Sequence, residues 1–245
     1  LPSSRKFNPE QKIYESYLYP GTEVFKNKLD VRDEKLLEQA ELFFNVERIR
    51  QPLPKQAQEL TYKGFLAIHH HLFQDVYTWA GKQRDYTTGR GPAPFAKPEF
   101  IKPWMDEQFA KLKQQNYLRG LSKNEFAEKI APIVNEINAA HPFIEGNGRT
   151  QRLWLRIVAE QAGHRLDLTN DDREKWYEAS RIGFELMDHK PMIELLKESL
   201  NRDKTQIQQQ YPGTYRKSLS HRIDEVRNQH NKQKRSPSKE NDKER

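Results

Sequence analysis

Residues 141–152 read His-Pro-Phe-Ile-Glu-Gly-Asn-Gly-Arg-Thr-Gln-Arg and interrupt an apolar pattern that is helical on both sides. Before them, residues 125–140 carry apolar side chains at helical spacing, and residues 153–162 resume the same period. The chain here must therefore fold as a helix, a glycine-containing turn, and the start of a second helix. Whatever else the molecule contains has to be arranged around that corner.

The corner has a chemical meaning. The first turn of a helix leaves backbone N–H groups without intrahelical partners, and the helix dipole adds partial positive charge there. Gly146 and Gly148 allow close backbone approach and left-handed conformations, which makes a nest for phosphates. Arg149 and Arg152, one turn apart, are expected to lean towards the same anion, and Asn147 to donate to a phosphate oxygen. Glu145 beside a polyphosphate is a natural ligand for Mg²⁺, which shares oxygen donors with phosphate. His141, just before the turn, suits a general base for an incoming hydroxyl. The bland alternative is a capped loop with a satisfied histidine and two surface arginines. It fails because every position has a compatible role in one mechanism.

Composition narrows the class. The chain of 245 residues is enough for one domain with a sizeable core plus appendages. A net charge of +7 suits phosphate ligands, acidic partners or nucleic acid without choosing among them. Cysteine is absent, which excludes disulfides, a thiolate nucleophile and zinc–thiolate sites. No apolar run approaches the roughly 20 residues that cross a bilayer, and no signal-peptide pattern appears. A soluble cytosolic protein is the expectation.

Along the chain, residues 33–46 read as an amphipathic helix, 55–73 as a second and 99–115 as a third. Ser122 and Glu125 form a capping box for the helix before the corner. His69, His70 and His71 point in different directions on one helix and cannot share a metal, so they read as surface and packing histidines. Residues 84–97 lose helical periodicity. Tyr86, Thr87 and Thr88 favour extended structure, and residues 89–92 read as a hairpin turn. A further helix starts at Asn170 or Asp171, and residues 191–200 form the last. Residues 202–245 are basic and polar, with no hydrophobic residue from 232 onward, as in a disordered tail.

The string HPFIEGNGRTQR resembles the signature HPFx[DE]GNGRxxR of the Fic (filamentation induced by cAMP) family, with every specified position matched. Residues 17–29, YLYPGTEVFKNKL, and 71–84, HLFQDVYTWAGKQR, are also similar to Fic segments. The resemblance covers residues 17–201, leaving 1–16 as an N-terminal arm and 202–245 as the tail. It implies a mainly α fold: a Fic-type helical bundle with a short β-hairpin flap over the active site. It also implies AMP transfer from ATP, with Mg²⁺, onto a Tyr, Thr or Ser hydroxyl of a target protein, releasing pyrophosphate. In that mechanism His141 is the base; Gly146, Asn147, Gly148, Arg149 and Arg152 hold the nucleotide; and Glu145 holds the metal. Phe95, Ala96 and Lys97 match the flap exit, where the target strand docks.

Fic enzymes are generally restrained by a helix carrying [ST]xxxE[GN], whose Glu pairs with the second motif arginine, here Arg152. The one match is residues 236–241, with Glu240, in the polar tail where nothing apolar could dock such a helix. The resemblance thus implies a toxin restrained by a separate small antitoxin. Stand-alone relatives modify bacterial type II topoisomerase subunits, which makes these the first expected target. A secreted, host-directed effector acting on small GTPases is the alternative. Relatives that transfer phosphocholine or phosphate usually depart from the motif around the glycines, which are intact here. From another class, a nucleotide- or nucleic-acid-binding module without transfer activity would have no use for His141. Neither nucleic acid nor membrane is an expected partner.

Overall fold

Helices α3 (Tyr62–Phe73) and α5 (Lys123–Ala140) carry buried residues on nearly every side, so each has to be enclosed by other elements. A computed structural model shows how, describing residues 9–90, 93–169 and 172–202. Around α3 pack α2 (Glu34–Ile49), α4 (Pro98–Gln114) and α6 (Asn147–Gln161). Around α5 pack α4, α6, α7 (Arg173–Glu185) and α8 (Lys190–Leu200). The remaining elements are α1 (Pro9–Ser16) and an antiparallel hairpin of β1 (Gly89–Arg90) and β2 (Ala93–Pro94). The expected class, a mainly α bundle with a short hairpin, is what the described residues form.

The local chemistry of the sequence accounts for most helix ends. Asp33 caps α2 by accepting from the Leu36 N–H. Ser122 and Glu125 make the reciprocal capping box at the start of α5, as read from the sequence. Removing its hydroxyl in Ser122→Ala is expected to lower stability by about 1 kcal/mol in urea unfolding, with transfer activity unchanged. The predicted helix over 55–73 is two pieces, a 3-10 turn (Lys55–Gln58) and then α3. Thr61 is extended and accepts from the Gly64 N–H, so it starts a new helix rather than continuing the old one.

Residues 9–16 form helix α1, which docks on the segment before the hairpin. It packs Tyr14 against Tyr86, ring centroids 5.3 Å apart, and Glu10 accepts from the Thr87 hydroxyl at 2.7 Å. Tyr17 donates to Asp85 at 2.9 Å. Aromatic residues drove this docking, a signal hidden in an otherwise polar segment. Residues 203–245, including the 236–241 match, lie outside the described residues, as do 91–92 and 170–171.

An aromatic stack at the centre sets the position of the corner. Phe143, fully buried, lies between Phe65 (5.6 Å, interplanar 12°) and His69 (3.8 Å, 14°). Trp154 of α6 meets Phe65 and Phe109 edge-on. The loop between α5 and α6 is thus nailed to α3 by one side chain.

Candidate active site

The corner begins where α5 ends. His141 takes a left-handed conformation, φ 44° and ψ 61°, while its N–H still bonds to the Ile137 carbonyl. That turn redirects the chain out of the helix so that Phe143 can enter the core. Gly146, φ 84°, then caps α6, and a Cβ there would lie 2.2 Å from the Phe73 ring. Asn147 is buried and its amide grips the Phe143 backbone from both ends: Oδ1 accepts from N–H at 2.9 Å and Nδ2 donates to C=O at 2.8 Å. One of its two N–H donors is thereby used in holding the loop. His69 completes the frame. Its Nδ1 accepts from the Gly81 N–H at 2.8 Å, which leaves Nε2 as the protonated nitrogen donating to the Glu145 carbonyl at 3.0 Å.

No side chain caps α6, so the N–H groups of its first turn face outward. Over them lies Arg152, whose Nη1 would be 3.4 Å from a Cβ on Gly148, and whose guanidinium sits 5.8 Å above the Trp176 ring. Burial first, then repulsion from Arg149, Arg156 and Arg173, pushes Arg152 down to about 10. It remains charged at neutral pH, and among the described residues no carboxylate forms an ion pair with it. A half-buried cation with no ion pair among the described residues, beside first-turn amides, is a site for an anion.

Arg149 does not converge on that anion as expected. Its Nη2 binds Glu41 of α2 at 2.6 Å and Glu145 at 3.1 Å, and its guanidinium lies 4.6 Å over the Phe73 ring. Glu41 also accepts from the Tyr77 hydroxyl. One arginine thus faces α2 and α3, and the other faces α7. Long side chains starting from neighbouring positions on a helix diverge when different elements capture them. Glu41→Ala would leave Arg149 with Glu145 alone and the Tyr77 hydroxyl without its acceptor. A loss of about 3 kcal/mol is expected in urea unfolding.

His141 stacks flat on Phe95, centroids 3.9 Å apart and planes 2° from parallel. Its Nδ1 is enclosed near the Asn138 carbonyl but outside hydrogen-bond geometry, while Nε2 is not among the enclosed, unpartnered atoms. Burial, and then the charges of Arg84 and Arg90, pushes its imidazole down to about 3. Burial likewise pushes His69 down to about 3. Both rings are therefore neutral in the folded protein at pH 7 and take up protons on unfolding below their ordinary value of 6.5. Stability is fully present above pH 6.5 and is lost as pH falls towards 3, by about 1.4 kcal/mol per unit for each ring. Thermal melts between pH 7 and 4 should show the decline. His69→Gln, which keeps a donor and an acceptor, should make it shallower.

Around the hairpin, Phe95 lies at the site, but Ala96 and Lys97 do not serve as an open docking edge. The Ala96 N–H donates to Ala139 and its carbonyl accepts from Arg84 at 2.5 Å, so its backbone is already paired. Lys97 is exposed at the N-cap of α4. The edges left for a strand are those of Gly89–Arg90 and Ala93–Pro94, further out. Glu145 is half-exposed, with Oε1 on Arg149. Among the described residues no three metal-ligating side chains cluster. That donor set fits a Mg²⁺ held by one carboxylate and by substrate phosphates, rather than by a protein cage.

Trp176, Glu41 and Arg84 were not singled out by the sequence, and His69 was read there as a surface or packing histidine. For His69 a signal existed: it falls on the apolar stripe of Phe65, Leu72 and Phe73. For the others, partners come from distant elements. An open cavity of about 520 Å³, lined by Arg173, Glu174, Tyr177 and Glu178, lies on α7 next to the turn of Trp176.

Comparison with known proteins agrees with this geometry. The Fic/DOC family profile matches residues 59–159. The chain is 38% identical over 162 residues to the probable protein adenylyltransferase y4lH of Sinorhizobium fredii, covering 66% of this chain and 83% of that one. It is 33% identical over 171 residues to the probable protein adenylyltransferase Fic of Escherichia coli, covering 68% and 83%. Its fold is similar to that of the BepC effector of Bartonella tribocorum, crystallised with bound AMPPNP. The TM-score is 0.69 at 28% identity, over 78% of this chain and 98% of that one. The corner, the hairpin and the bundle around them are those of the Fic/DOC family, and the chain belongs to it.

Proposed function

We propose that this chain is a protein adenylyltransferase that transfers AMP from ATP to a Tyr, Thr or Ser hydroxyl of a target protein and releases pyrophosphate. The observation that carries the reading is Arg152, with no ion pair among the described residues, over the open amides of Gly148 and its neighbours, with a neutral imidazole at the same corner. Relatives named protein adenylyltransferases and a structural neighbour with bound AMPPNP support the nucleotide and the reaction type.

In this reading the first-turn amides of α6 receive the phosphates. Arg152 neutralises the outer ones, and Arg149 holds Glu145 and the loop in place. His141 takes the proton from the acceptor hydroxyl through its ring nitrogen Nε2 as that oxygen attacks the α-phosphorus. Phe95 keeps the ring from rotating. When bound, Mg²⁺ held by Glu145 and phosphate oxygens would supply charge neutralisation for the departing pyrophosphate. The outer hairpin edge aligns the acceptor segment by strand addition.

A separate small protein with an inhibitory helix is the regulator expected on this reading, its carboxylate pairing with Arg152, for which no described residue supplies one. If Glu240→Ala raised the activity of the purified chain, restraint would lie within the chain and the separate regulator would be unnecessary. Bacterial type II topoisomerase subunits are the first targets to try. The fold's likeness to Bartonella effectors makes host small GTPases the second. The deciding experiment incubates the chain with bacterial and with host lysates and ATP labelled at either the α- or the γ-phosphate. Protein label from the α-phosphate alone, with a mass gain of one AMP, is expected. Label from the γ-phosphate, or none from either, would overturn the reading.

A further inference from the structure

Arg84 is among the largest fully buried side chains, at 1% exposed, and among the described residues no carboxylate forms an ion pair with it. Its partners there are carbonyl oxygens. Nε donates to His141 at 2.7 Å, Nη1 to Tyr86 at 2.6 Å, and Nη2 to both Ala96 at 2.5 Å and Ala140 at 3.1 Å. Its own backbone N–H donates to Pro142 at 2.9 Å. Three consecutive carbonyls, 140 to 142, thus converge on one residue at the negative end of the α5 dipole, where a cation is favoured. Two further carbonyls come from the entry and the exit of the hairpin.

The placement answers two problems at once. A helix end leaves carbonyls without partners, and a left-handed non-glycine residue is strained unless its surroundings hold it. Arg84 supplies the partners and the hold. It does so with a planar fork of five donors, four of which are used here. A lysine, with three donors on one atom, could not span both sides.

We propose that Arg84 is a positioning residue for the transfer reaction: one guanidinium fixes the hairpin base to the turn that presents His141, so that acceptor strand and base keep a single relation. This rests on the AMP-transfer reading above. Arg84 touches neither nucleotide nor acceptor, and it acts through the backbone of His141 and Ala96.

The test is Arg84→Lys in the full chain. The expected result is a kcat at least 100-fold lower with ATP affinity within threefold of wild type. In hydrogen exchange, the amides of Phe95 and Ala96 should open at least tenfold faster, while α3 and α8 are unchanged. Unaltered kcat with unaltered exchange at those two amides would overturn the proposal. So would faster exchange throughout the bundle with normal kcat in the folded fraction, which is what a general structural role predicts. Should the variant not fold, the wild type decides by NMR: slowly exchanging, separate Nη protons of Arg84 support the clamp, and one rapidly exchanging signal overturns it. If the wild type transfers no AMP, the functional reading falls, but the exchange and NMR measurements still judge Arg84.

Discussion

His141→Ala is expected to lower the rate of AMP transfer by about 10³-fold while leaving ATP affinity within threefold. The separation follows from geometry. Nothing that binds phosphate in the proposed site comes from the imidazole: the amides belong to α6 and the charge to Arg152. Filter-binding or calorimetric affinity for ATP, beside α-labelled transfer to a target, reads both quantities on one protein. Transfer retained within tenfold would remove His141 from the chemistry. Loss of ATP binding together with transfer would instead make it part of the nucleotide site. The imidazole is held low by burial and by two nearby guanidinium groups, so it is a weak base in the free protein. A bound triphosphate adds negative charge beside it and should raise its pKa towards the working range. NMR titration of the His141 ring with and without ATP should show that upward movement.

The second large effect is on folding. Gly146→Ala is expected to destabilise the chain by about 3 kcal/mol or more, summing a left-handed penalty of about 1–2 kcal/mol and overpacking of about 1–3 kcal/mol. The new methyl would meet Cζ of Phe73 at 2.2 Å, and that ring is itself confined by His69 and Tyr77. Gly120→Ala is the control. Gly120 has a similar φ of 80° but nothing within 4 Å of the added carbon, so only the conformational part applies. Urea unfolding of the two variants separates the terms. Equal losses would mean that Phe73 yields freely and the close contact is unimportant.

What could be read from the sequence was what is local. The capping box and the corner between two helices depend on residues within a few positions of one another. The fork at Arg149 and Arg152 shows the limit. Their spacing places the α-carbons on one side of α6, but Glu41, 108 positions away, decides where one of the two guanidinium groups goes. Arg84 is the stronger case. It follows a glycine in a polar stretch, like any solvated arginine, and only the return of the chain 57 residues later surrounds it with carbonyls. The hairpin exit was misjudged for the same reason. Ala96 has backbone groups like any other residue, and their occupation by Ala139 and Arg84 is set in three dimensions.

One consequence of the left-handed turn concerns how such a chain can lose its activity. The backbone at position 141 admits glycine, asparagine, aspartate or histidine with least strain. Of those four, glycine and asparagine carry no group able to take the proton. Position 141 is therefore screened by shape and by reactivity separately. A silent descendant that keeps the bundle intact would most cheaply carry asparagine or glycine there, and a β-branched residue would damage the scaffold along with the chemistry.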